Sequence, residues 1–349
     1  MNHRKFSELI LAWGKQTHRP MPWKGEKNPY FIWLSEIILQ QTRVEQGRHY
    51  YLKFKKHYPT IQDLANAEED AVLKDWEGLG YYSRARNLHF TAKYISKELQ
   101  GIFPNNLDGL LKLKGVGAYT ASAIASFAFN IPKAVVDGNV IRVLSRVYGI
   151  ENQHKTAQEK REFQEFADLL ISQKNPAIYN QAIMDFGAQV CLPKKYLCDN
   201  CMFSKECVAF KNKLQDLLPL KKTKIKTKKR AFTFLVFNYK KNIYIEKRIA
   251  KDIWKGLYQF PLLENGKIET KNEILKEIEK VFSIKSKEII IKNISNKVVQ
   301  KLTHQTLIVK FVEIELKKEF LWDFIKTDIK ILHKFAFPKI IKEYILETK

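Results

Sequence analysis

The segment KLKGVGAYTASAIASFAF, residues 112–129, sets two glycines around one valine directly before a run of small residues. The preceding NNLDGLLKLKG (105–115) predicts a short helix, so the two stretches together predict a helix-hairpin-helix over about residues 107–129. Glycines at such a turn allow backbone N–H groups to approach an anion at a helix N-terminus, where the helix dipole is favourable. A G-x-G on its own more often marks a plain tight turn, and the helix before it is what favours the phosphate interpretation. The segment therefore indicates a candidate phosphate site at Gly115, Val116 and Gly117.

The charge balance of the whole chain points to a polyanionic partner. Among 349 residues, 61 are Lys or Arg and 37 are Asp or Glu, which gives a formal net charge of +24. Such an excess favours nucleic acid, because neutralising phosphates releases their counterions. A lysine-rich bias of the whole proteome would explain part of the same excess. Both explanations stay open on composition alone.

Length and apolar content describe a chain of several domains without a membrane anchor. The 45% of hydrophobic residues can bury ample core, and 349 residues predict two or three domains. The apolar run within residues 1–20 is too short and interrupted for a signal peptide, and no run of about 18 apolar residues occurs. These features predict a cytoplasmic protein that does not associate with membranes.

All cysteines of the chain lie in one short segment, at Cys191, Cys198, Cys201 and Cys207. Cysteines gathered in this way in an intracellular chain indicate metal or iron-sulfur ligation rather than disulfides. Structural zinc is the simpler alternative, but four-cysteine zinc sites usually pair two short C-x2-4-C knuckles. Only one C-x2-C occurs here, with longer arms on each side. The spacing therefore favours a [4Fe-4S] cluster with a role in folding.

Hydrophobic periodicity divides the chain into a helical part and a mixed part. In residues 1–215 apolar positions recur every three or four residues, which predicts helices joined by short loops. Seven of the ten residues from 221 to 230 are basic, so residues 216–230 are predicted to form an extended linker. Alternating strand patterns with two helical stretches follow, and they predict an α+β domain over residues 231–349.

An aspartate stands shortly after the glycine turn. Asp137 lies in VVDGNVIRVLSR (135–146), next to a helix predicted to start near Val140. Helix capping is the commonest role of Asp at such a place. Its position after a helix-hairpin-helix adds the hypothesis of a catalytic role.

Seven motifs, in order, resemble the MutY-type adenine DNA glycosylases, a branch of the helix-hairpin-helix glycosylase family. They are RPMPWK (19–24), LSEIILQQTRV (34–44), WEGLGYYSRARNL (76–88), LKGVGAYTA (113–121), VDGNVIRVLSR (136–146), NQAIMDFGAQVC (180–191) and the four-cysteine segment. The resemblance implies a mainly α N-terminal catalytic region of two helical lobes with a [4Fe-4S] loop at 191–207, and an α+β Nudix-like C-terminal domain. It also implies a monomeric base-excision-repair enzyme that hydrolyses the N-glycosidic bond of adenine opposite 8-oxoguanine or guanine in double-stranded DNA.

The resemblance assigns the chemistry to two carboxyl groups. Adenine is a poor anionic leaving group, so a proton should reach its ring nitrogen while the sugar becomes oxocarbenium-like. Glu36, surrounded by apolar residues in its motif, is the expected general acid, because such surroundings disfavour its anion. The alternative is a solvated helix carboxylate. Asp137 would be kept ionised by the helix N-terminus that it caps, and would stabilise the developing cation.

The resemblance also assigns contacts around those carboxyl groups. Two residues are expected to line the sugar side of the site and to position the carboxyl groups: Tyr119 and Asn139. Three further residues fall where relatives contact the extruded adenine: Arg19, Trp23 and Gln181. Trp23 fits a core position equally well.

Side chains that enter the base stack form another part of the resemblance. Flipping the adenine out of the duplex costs a few kcal/mol, which inserted side chains help to offset. Gln41 and Tyr81 lie where relatives insert such side chains, and Leu79 is expected to join them. Burial in the core is the usual alternative for an aromatic residue. Gly78 and Gly80 predict a turn around Leu79, which favours its exposure.

The residue at position 119 separates two reaction classes. In bifunctional relatives of the endonuclease III type this position is a lysine, whose amine forms a Schiff base and cuts the strand. A phenol forms no imine, so Tyr119 predicts a monofunctional glycosylase that leaves an abasic site. Lys114, where the family usually has proline, lies before the hairpin and is not expected to substitute. The alternatives are an endonuclease III-like glycosylase and lyase for oxidised pyrimidines, and a catalytically silent DNA-binding protein.

The C-terminal part resembles the Nudix-like module of these enzymes. WKGLYQFPLLE (254–264) occupies the entry position, but the residues that follow contain no R-E-x-x-E-E metal box, so Mg²⁺-dependent pyrophosphate cleavage is not expected. QKLTHQTLIV (300–309) resembles the loop that recognises 8-oxoguanine. There Leu302 replaces the usual aromatic residue, Thr303 keeps a hydroxyl for the oxidised base, and His304 matches the family. A solvent-facing strand-end residue is the alternative for His304.

Overall fold

Two compact units make up the chain in a computed structural model, and they interleave in sequence. The helical unit contains Met1–Asn66 and Asn87–Thr223, and the mixed unit contains Ala67–Arg86 and Lys224–Lys349. The structure describes residues 1–17, 19–220, 227–264 and 270–348. Residues 221–226 of the predicted linker therefore lie outside the described residues. The sequence did not indicate that residues 67–86 group with the C-terminal residues.

Helices account for the regular structure of the helical unit. In chain order the α-helices of the protein are α1 (His3–Gln16), α2 (Pro29–Leu39), α3 (Val44–His57), α4 (Ile61–Asn66), α5 (Glu69–Asp75), α6 (Ser83–Glu98), α7 (Leu107–Leu111), α8 (Ala118–Phe129), α9 (Gly138–Tyr148), α10 (Ala157–Leu170), α11 (Pro176–Gln189), α12 (Val208–Lys211), α13 (Lys271–Phe282) and α14 (Lys339–Glu347). The predicted fold class, helical first and mixed afterwards, is confirmed. Within the described ranges, no helix has the length and apolar content that a membrane span requires.

Short sequence signals fix the start of several helices. The Asn28 side chain accepts a hydrogen bond from Tyr30 N–H and caps α2. Thr156 and Glu159 form a reciprocal capping box at the start of α10. Asp137 caps α9. Because each cap determines where its helix begins, it also determines which side chains of the first turn face the neighbouring helices.

The core of the helical unit is formed where α1 packs on α11 and α10, and α11 packs on α9. Phe6, Phe163 and Phe186 are among its fully buried side chains. A Cβ atom on Gly14 would lie 2.5 Å from Cβ of Ala182, so this glycine allows α1 and α11 to approach closely. α2 packs on α3 and α8 beside this core.

A single mixed sheet of eight strands organises the described part of the mixed unit. Its strands are β1 (Lys228–Tyr239), β2 (Asn242–Lys247), β3 (Tyr258–Gln259), β4 (Leu262–Glu264), β5 (Ile289–Ile294), β6 (Val298–Lys301), β7 (Gln305–Leu316) and β8 (Ile325–Asp328). The order is β3-β2-β1-β7-β5, with β4 beside β1, β6 beside β7 and β8 beside β2. β1 and β7 are parallel, and the other pairs are antiparallel.

Both faces of this sheet are covered, because residues 232–237 of β1 are all buried and successive side chains of a strand point to opposite faces. On one face Leu235 and Phe237 of β1 pack in a cluster with Ile274 and Ile278 of α13. On the other face Phe234 and Val236 belong to a cluster with two residues of α14, Ile340 and Ile341. Adjacent residues of β1 therefore enter opposite cores, and the sheet is sandwiched between α13 and α14.

Candidate active site

A cavity of about 420 Å³ opens in the helical unit. Its walls come from α1, α2, α8, α9, α11 and the segment that precedes α2. The cavity brings together the residues predicted for catalysis and for adenine contact: Glu36, Tyr119, Asp137, Asn139, Arg19, Trp23 and Gln181. These residues are spread over more than 160 positions of the sequence, so the fold alone brings them together.

Glu36 lies on α2 and is only 7% exposed. Its Oε2 atom is buried and, among the described residues, has no hydrogen-bond partner. The pKa of Glu36 is raised to about 7: burial raises it most, a hydrogen bond from the Tyr119 hydroxyl opposes the rise, and the charge of Asp137 adds to it. Around neutral pH a large fraction of this carboxyl group therefore holds a proton that it can release into the cavity.

Asp137 stands at the N-terminus of α9 with both carboxylate oxygens engaged. Oδ1 accepts a hydrogen bond from Val140 N–H at 2.7 Å, and Oδ2 accepts one from Asn139 Nδ2 at 2.7 Å. Burial raises the pKa of Asp137, while these hydrogen bonds and the charge of Arg142 oppose the rise. The arrangement holds a carboxylate in one orientation at the edge of the cavity.

Arg142, which the sequence analysis did not single out, fixes the orientation of Asn139. Its Nη2 donates to Asn139 Oδ1 at 2.8 Å and to Gly187 O at 2.6 Å, and its Nε donates to Cys191 O at 2.7 Å. The Asn139 amide group must therefore turn its nitrogen toward Asp137. The only signal in the sequence was the spacing of Arg142 three residues after Asn139, which places both on one face of a helix.

Asp185 is a second residue that the sequence analysis missed, and it organises the opposite wall. Its carboxylate is 2% exposed and accepts hydrogen bonds from three side chains: Arg19 Nη1 (2.9 Å), Lys24 Nζ (3.0 Å) and Gln181 Nε2 (3.1 Å). Two of the predicted adenine contacts, Arg19 and Gln181, are thus fixed to one buried anion. Trp23 lines the cavity and sets its ring against Tyr51 with centroids 5.4 Å apart, so it forms wall rather than core.

The glycine turn between α7 and α8 has the geometry of a hairpin with exposed backbone. Gly115 has a left-handed φ of +84°, and a Cβ atom there would lie 2.9 Å from Cβ of Asn87. Thr91 braces the turn by donating to Lys114 O at 2.8 Å. Within this turn the Val116 N–H donates to Leu113 O at 3.1 Å. Gly115 and Gly117 are exposed, and phosphate binding by the amides of residues 115–117 stays a prediction.

The residues predicted to enter the base stack divide into exposed and buried ones. Gln41 is exposed with a left-handed φ of 54°, and Tyr81 is 43% exposed with a φ of 48°. Leu79 is only 6% exposed, so the exposure predicted for it is wrong. Gly78 and Gly80 do form the expected turn, with φ of 95° and 79°, but this turn directs the apolar side chain inward, where burial is favourable.

The predicted lesion-contacting loop is the tight turn between β6 and β7. Leu302 N–H donates to Gln305 O at 2.7 Å, and the Leu302 side chain packs against the sheet core. Thr303 and His304 are exposed at the tip. The Thr303 hydroxyl forms a hydrogen bond with the hydroxyl of Tyr81, and both residues belong to the mixed unit. The structure thus joins a predicted stack-entering residue to a predicted lesion contact.

The four cysteines line one cavity between the end of α11 and the start of α12. All are free thiols, and Arg146 Nη1 lies 3.5 Å from Sγ of Cys191. Burial raises the pKa of Cys201 to about 11. In the described ranges, no three His, Cys, Asp or Glu side chains converge on the position of a single metal ion. Four thiols around one shared space supply the number of ligands that either a structural zinc ion or a [4Fe-4S] cluster takes from cysteines.

Comparison with known families defines the class of protein first. Residues 34–168 match the family described as HhH-GPD superfamily base excision DNA repair protein, and residues 232–347 match the NUDIX domain. A solved thermostable thymine-DNA glycosylase is 29% identical, with a TM-score of 0.56, and the match covers 60% of this chain and 97% of that one. Endonuclease III in a non-covalent complex with DNA, 20% identical with a TM-score of 0.53, shows the same fold. The chain is a DNA N-glycosylase of base-excision repair.

Relatives that match along the chain then define the family within that class. An adenine DNA glycosylase of Buchnera aphidicola subsp. Baizongia pistaciae is 38% identical over 320 residues, which cover 90% of this chain and 87% of the relative. One from subsp. Schizaphis graminum is 35% identical and covers 97% of both chains, and one from Homo sapiens is 39% identical over 58% of this chain and 39% of its own. The chain belongs to the adenine DNA glycosylase family.

Proposed function

We propose that this enzyme removes adenine opposite 8-oxoguanine or guanine in double-stranded DNA, by hydrolysing the N-glycosidic bond. The observation that carries the proposal is the pairing, in one cavity, of a protonatable Glu36 with a hydrogen-bonded Asp137. The net charge of +24 attracts the DNA backbone, and the exposed glycine amides of the hairpin bind its phosphates. We place the enzyme in the cytoplasm with the nucleoid, where it acts as a monomer.

The two carboxyl groups divide the reaction between base and sugar. Glu36 donates its proton to a ring nitrogen of the flipped adenine, a type of step worth roughly 10²–10⁴-fold in rate. Asp137 faces the sugar as an anion and stabilises the positive charge that develops when the bond to adenine breaks. The Tyr119 hydroxyl donates a hydrogen bond to Glu36, and the Asn139 amide donates one to Asp137. Neither carboxyl group therefore needs to change its orientation during the reaction. Water then adds to the sugar, and an abasic site remains.

The pH dependence of base release follows from the Glu36 pKa. The active form is protonated, and burial has raised this pKa from its ordinary range to about 7. We expect the single-turnover rate to be high below this value and to fall about tenfold per pH unit above it. Rates measured across neutral pH test this expectation. An alkaline limb that persists unchanged in Glu36→Gln would contradict the assignment.

A phenol at position 119, where a bifunctional relative would have a lysine, makes the enzyme monofunctional. Tyr119 occupies the cavity wall, and its phenol cannot form an imine with the sugar. Lys114 is exposed, does not line the described cavity, and places its ammonium group 4.2 Å from the centre of the Phe90 ring. We therefore expect strand cleavage only after alkali.

We propose that Thr303 and Tyr81 contact the base opposite the adenine. Their linked hydroxyls lie at the exposed tip of the β6–β7 turn and at the exposed end of the Gly78–Gly80 turn. When the Thr303 hydroxyl donates to Tyr81, its lone pair remains for an N–H donor. Position N7 is such a donor in 8-oxoguanine and an acceptor in guanine, so the Thr303 hydroxyl in this orientation favours the oxidised base. Leu302 cannot stack as an aromatic residue would, because it lies against the sheet core.

We propose that Cys191, Cys198, Cys201 and Cys207 hold a [4Fe-4S] cluster as thiolates. The bound cluster would supply four covalent cross-links that order residues 191–207. The neighbouring Arg146 donates to Leu192 O at 2.6 Å and to Gln215 O at 2.7 Å, so this segment is fixed to α9 as well. With the four thiols ionised, the Arg146 guanidinium beside Cys191 would offset part of their charge.

Metal analysis tests the cluster directly. We expect about four iron and about four acid-labile sulfide per chain in protein purified without oxygen. Cys198→Ser should lose iron and lower the melting temperature, because the loop loses a cross-link. The control is Ser204→Ala, a change in the same loop that removes no thiol and should retain full iron. One zinc per chain, without sulfide, would contradict the cluster.

One assay separates the proposal from its alternatives. Excess enzyme is incubated with duplexes that hold A:8-oxoG, A:G, A:T or thymine glycol, and strand cleavage is measured with and without alkali. We expect alkali-dependent cleavage at adenine in the first two duplexes only. Alkali-independent cleavage at thymine glycol, with a borohydride-trapped adduct, would indicate an endonuclease III-like lyase. Binding without cleavage of any duplex would indicate a silent DNA-binding protein.

A further inference from the structure

Residues 67–86 are structurally part of the mixed unit, although they interrupt the helical unit in sequence. They comprise α5, the Gly78–Gly80 turn, Tyr81 and the first residues of α6. Tyr81, the residue placed to enter the base stack, is therefore carried by the same compact unit as Thr303. The contacts that hold this segment against the C-terminal part of the mixed unit determine where Tyr81 lies relative to Thr303.

Glu77 is the main anchor of the segment. Its side chain is 5% exposed, and its carboxylate accepts hydrogen bonds from Phe337 N–H at 3.0 Å, Lys342 Nζ at 2.6 Å and Lys74 Nζ at 3.0 Å. Phe337 lies directly before α14 and Lys342 lies on it. Burial alone would raise the pKa of Glu77, but the hydrogen bonds from Lys342, Phe337 and Lys74 lower it. A buried carboxylate thus joins the turn to the C-terminal helix.

A second anchor is Asp70, on α5, the helix that ends just before Glu77. The Asp70 carboxylate accepts a hydrogen bond from the Tyr258 hydroxyl at 2.6 Å and forms an ion pair with Lys247 of β2. Arg86, at the other end of the segment, donates to Lys255 O. Residues 67–86 are therefore held at both ends and in the middle by residues from the C-terminal part of the mixed unit.

A short chain of contacts leads from Glu77 to Tyr81. Trp76 Nε1 donates to Gly80 O at 3.0 Å, and Arg84 Nη2 donates to the same oxygen at 3.2 Å. The Arg84 guanidinium lies 5.1 Å from the Trp76 ring centre and 5.6 Å from the Tyr81 ring centre. Trp76 and Glu77 are adjacent, so displacement of Glu77 moves the residues that hold Gly80 and Tyr81.

We propose that Glu77 is a positioning residue for recognition of the base opposite adenine. It holds the Gly78–Gly80 turn on α14, so that Tyr81 and Thr303 meet the opposite base as one hydroxyl pair. Glu77 itself contacts neither base nor sugar. Its effect is confined to the discrimination between 8-oxoguanine and guanine opposite the adenine. The inference rests on the proposed function and adds a determinant of specificity to it.

The test compares single-turnover adenine release from A:8-oxoG and A:G duplexes. Glu77→Gln should lower the A:8-oxoG rate so that the ratio of the two rates falls about tenfold, while the A:G rate stays nearly unchanged. The matched control, Glu68→Gln, changes an exposed carboxylate of the same segment and should leave the ratio unaltered. Equal losses on both duplexes, which a merely structural role would cause, or an unchanged ratio would overturn the inference.

Two further variants keep the test decisive. Lys342→Gln removes one hydrogen-bond donor to Glu77 from α14, so it should also lower the ratio of the A:8-oxoG rate to the A:G rate, by less than Glu77→Gln does. If Glu77→Gln does not fold, an unchanged ratio in Lys342→Gln overturns the proposal. Thr303→Val should lower the ratio by itself and add little in the Glu77→Gln background, because both changes affect one hydroxyl pair. Additive losses would contradict the shared mechanism. A wild-type enzyme that releases no adenine from either duplex would instead refute the proposed function.

Discussion

Replacement of Glu36 by glutamine should lower the single-turnover rate of adenine release by at least about a hundredfold. Glutamine has nearly the same shape and fills the same buried position, but it has no acidic proton to deliver. The Oε2 atom of Glu36 is buried in the cavity with no hydrogen-bond partner among the described residues, so no other side chain described there is placed to relay a proton through it. The protein should stay folded, because the change removes a carboxyl group whose burial is unfavourable when ionised.

The measurement is the rate of base release with enzyme in excess over an A:8-oxoG duplex. The matched control is Glu45→Gln, which changes an exposed carboxylate on α3 outside the cavity and should retain the wild-type rate. Thermal melting of both variants separates loss of chemistry from loss of fold. A Glu36→Gln rate within about threefold of the wild-type rate would show that Glu36 is not the general acid.

Replacement of Asp137 by asparagine should have a comparable effect, roughly 10²–10³-fold, for a different reason. The sugar becomes cationic as the bond breaks, and a neutral amide lacks the charge that stabilises this cation. The amide oxygen can still accept from Val140 N–H, and Asn and Asp are similar helix caps. The new amide nitrogen meets Asn139 Nδ2, which is also a donor, so the variant should lose about 1–3 kcal/mol of stability. A large kinetic loss with a modest shift in melting temperature is therefore the expected pattern.

Asp108→Asn provides the matched control for this second change. Asp108 is exposed in the first turn of α7, so its replacement also alters a carboxylate near a helix start. It should not change base release. Near wild-type release by Asp137→Asn would show that the charge is not used, and a collapse of its melting temperature would show that the residue acts mainly as a cap.

Local signals in the sequence predicted much of this fold. Asp137 marked a helix start because its side chain accepts a backbone N–H group, and that chemistry depends only on neighbouring residues. The pattern of β1 likewise predicted a strand, since period two is inherent to extended backbone, but it did not predict that both faces would be covered. Motif resemblance named seven of the residues that line the cavity, among them Glu36, Tyr119 and Asp137.

Contacts between distant segments were not predictable in this way. Asp185 reads as an ordinary helix residue, yet the approach of residues 19–24 gives its carboxylate two cationic partners. Leu79 illustrates the converse: its two flanking glycines predicted a turn correctly, but they carry no information about which side of the turn faces the interior. The assignment of residues 67–86 to the mixed unit depends on the partners of Glu77 and Asp70, which lie more than 170 positions further along the chain.

We propose that Glu36 and Asp137 cleave the bond between adenine and its sugar and leave the strand intact. Identification of the base released from an A:8-oxoG duplex by excess wild-type enzyme tests this proposal most directly. We expect free adenine in an amount equal to the abasic strand, with that strand uncut until alkali is added. Absence of free adenine, release of another base, or strand cleavage before alkali would contradict it.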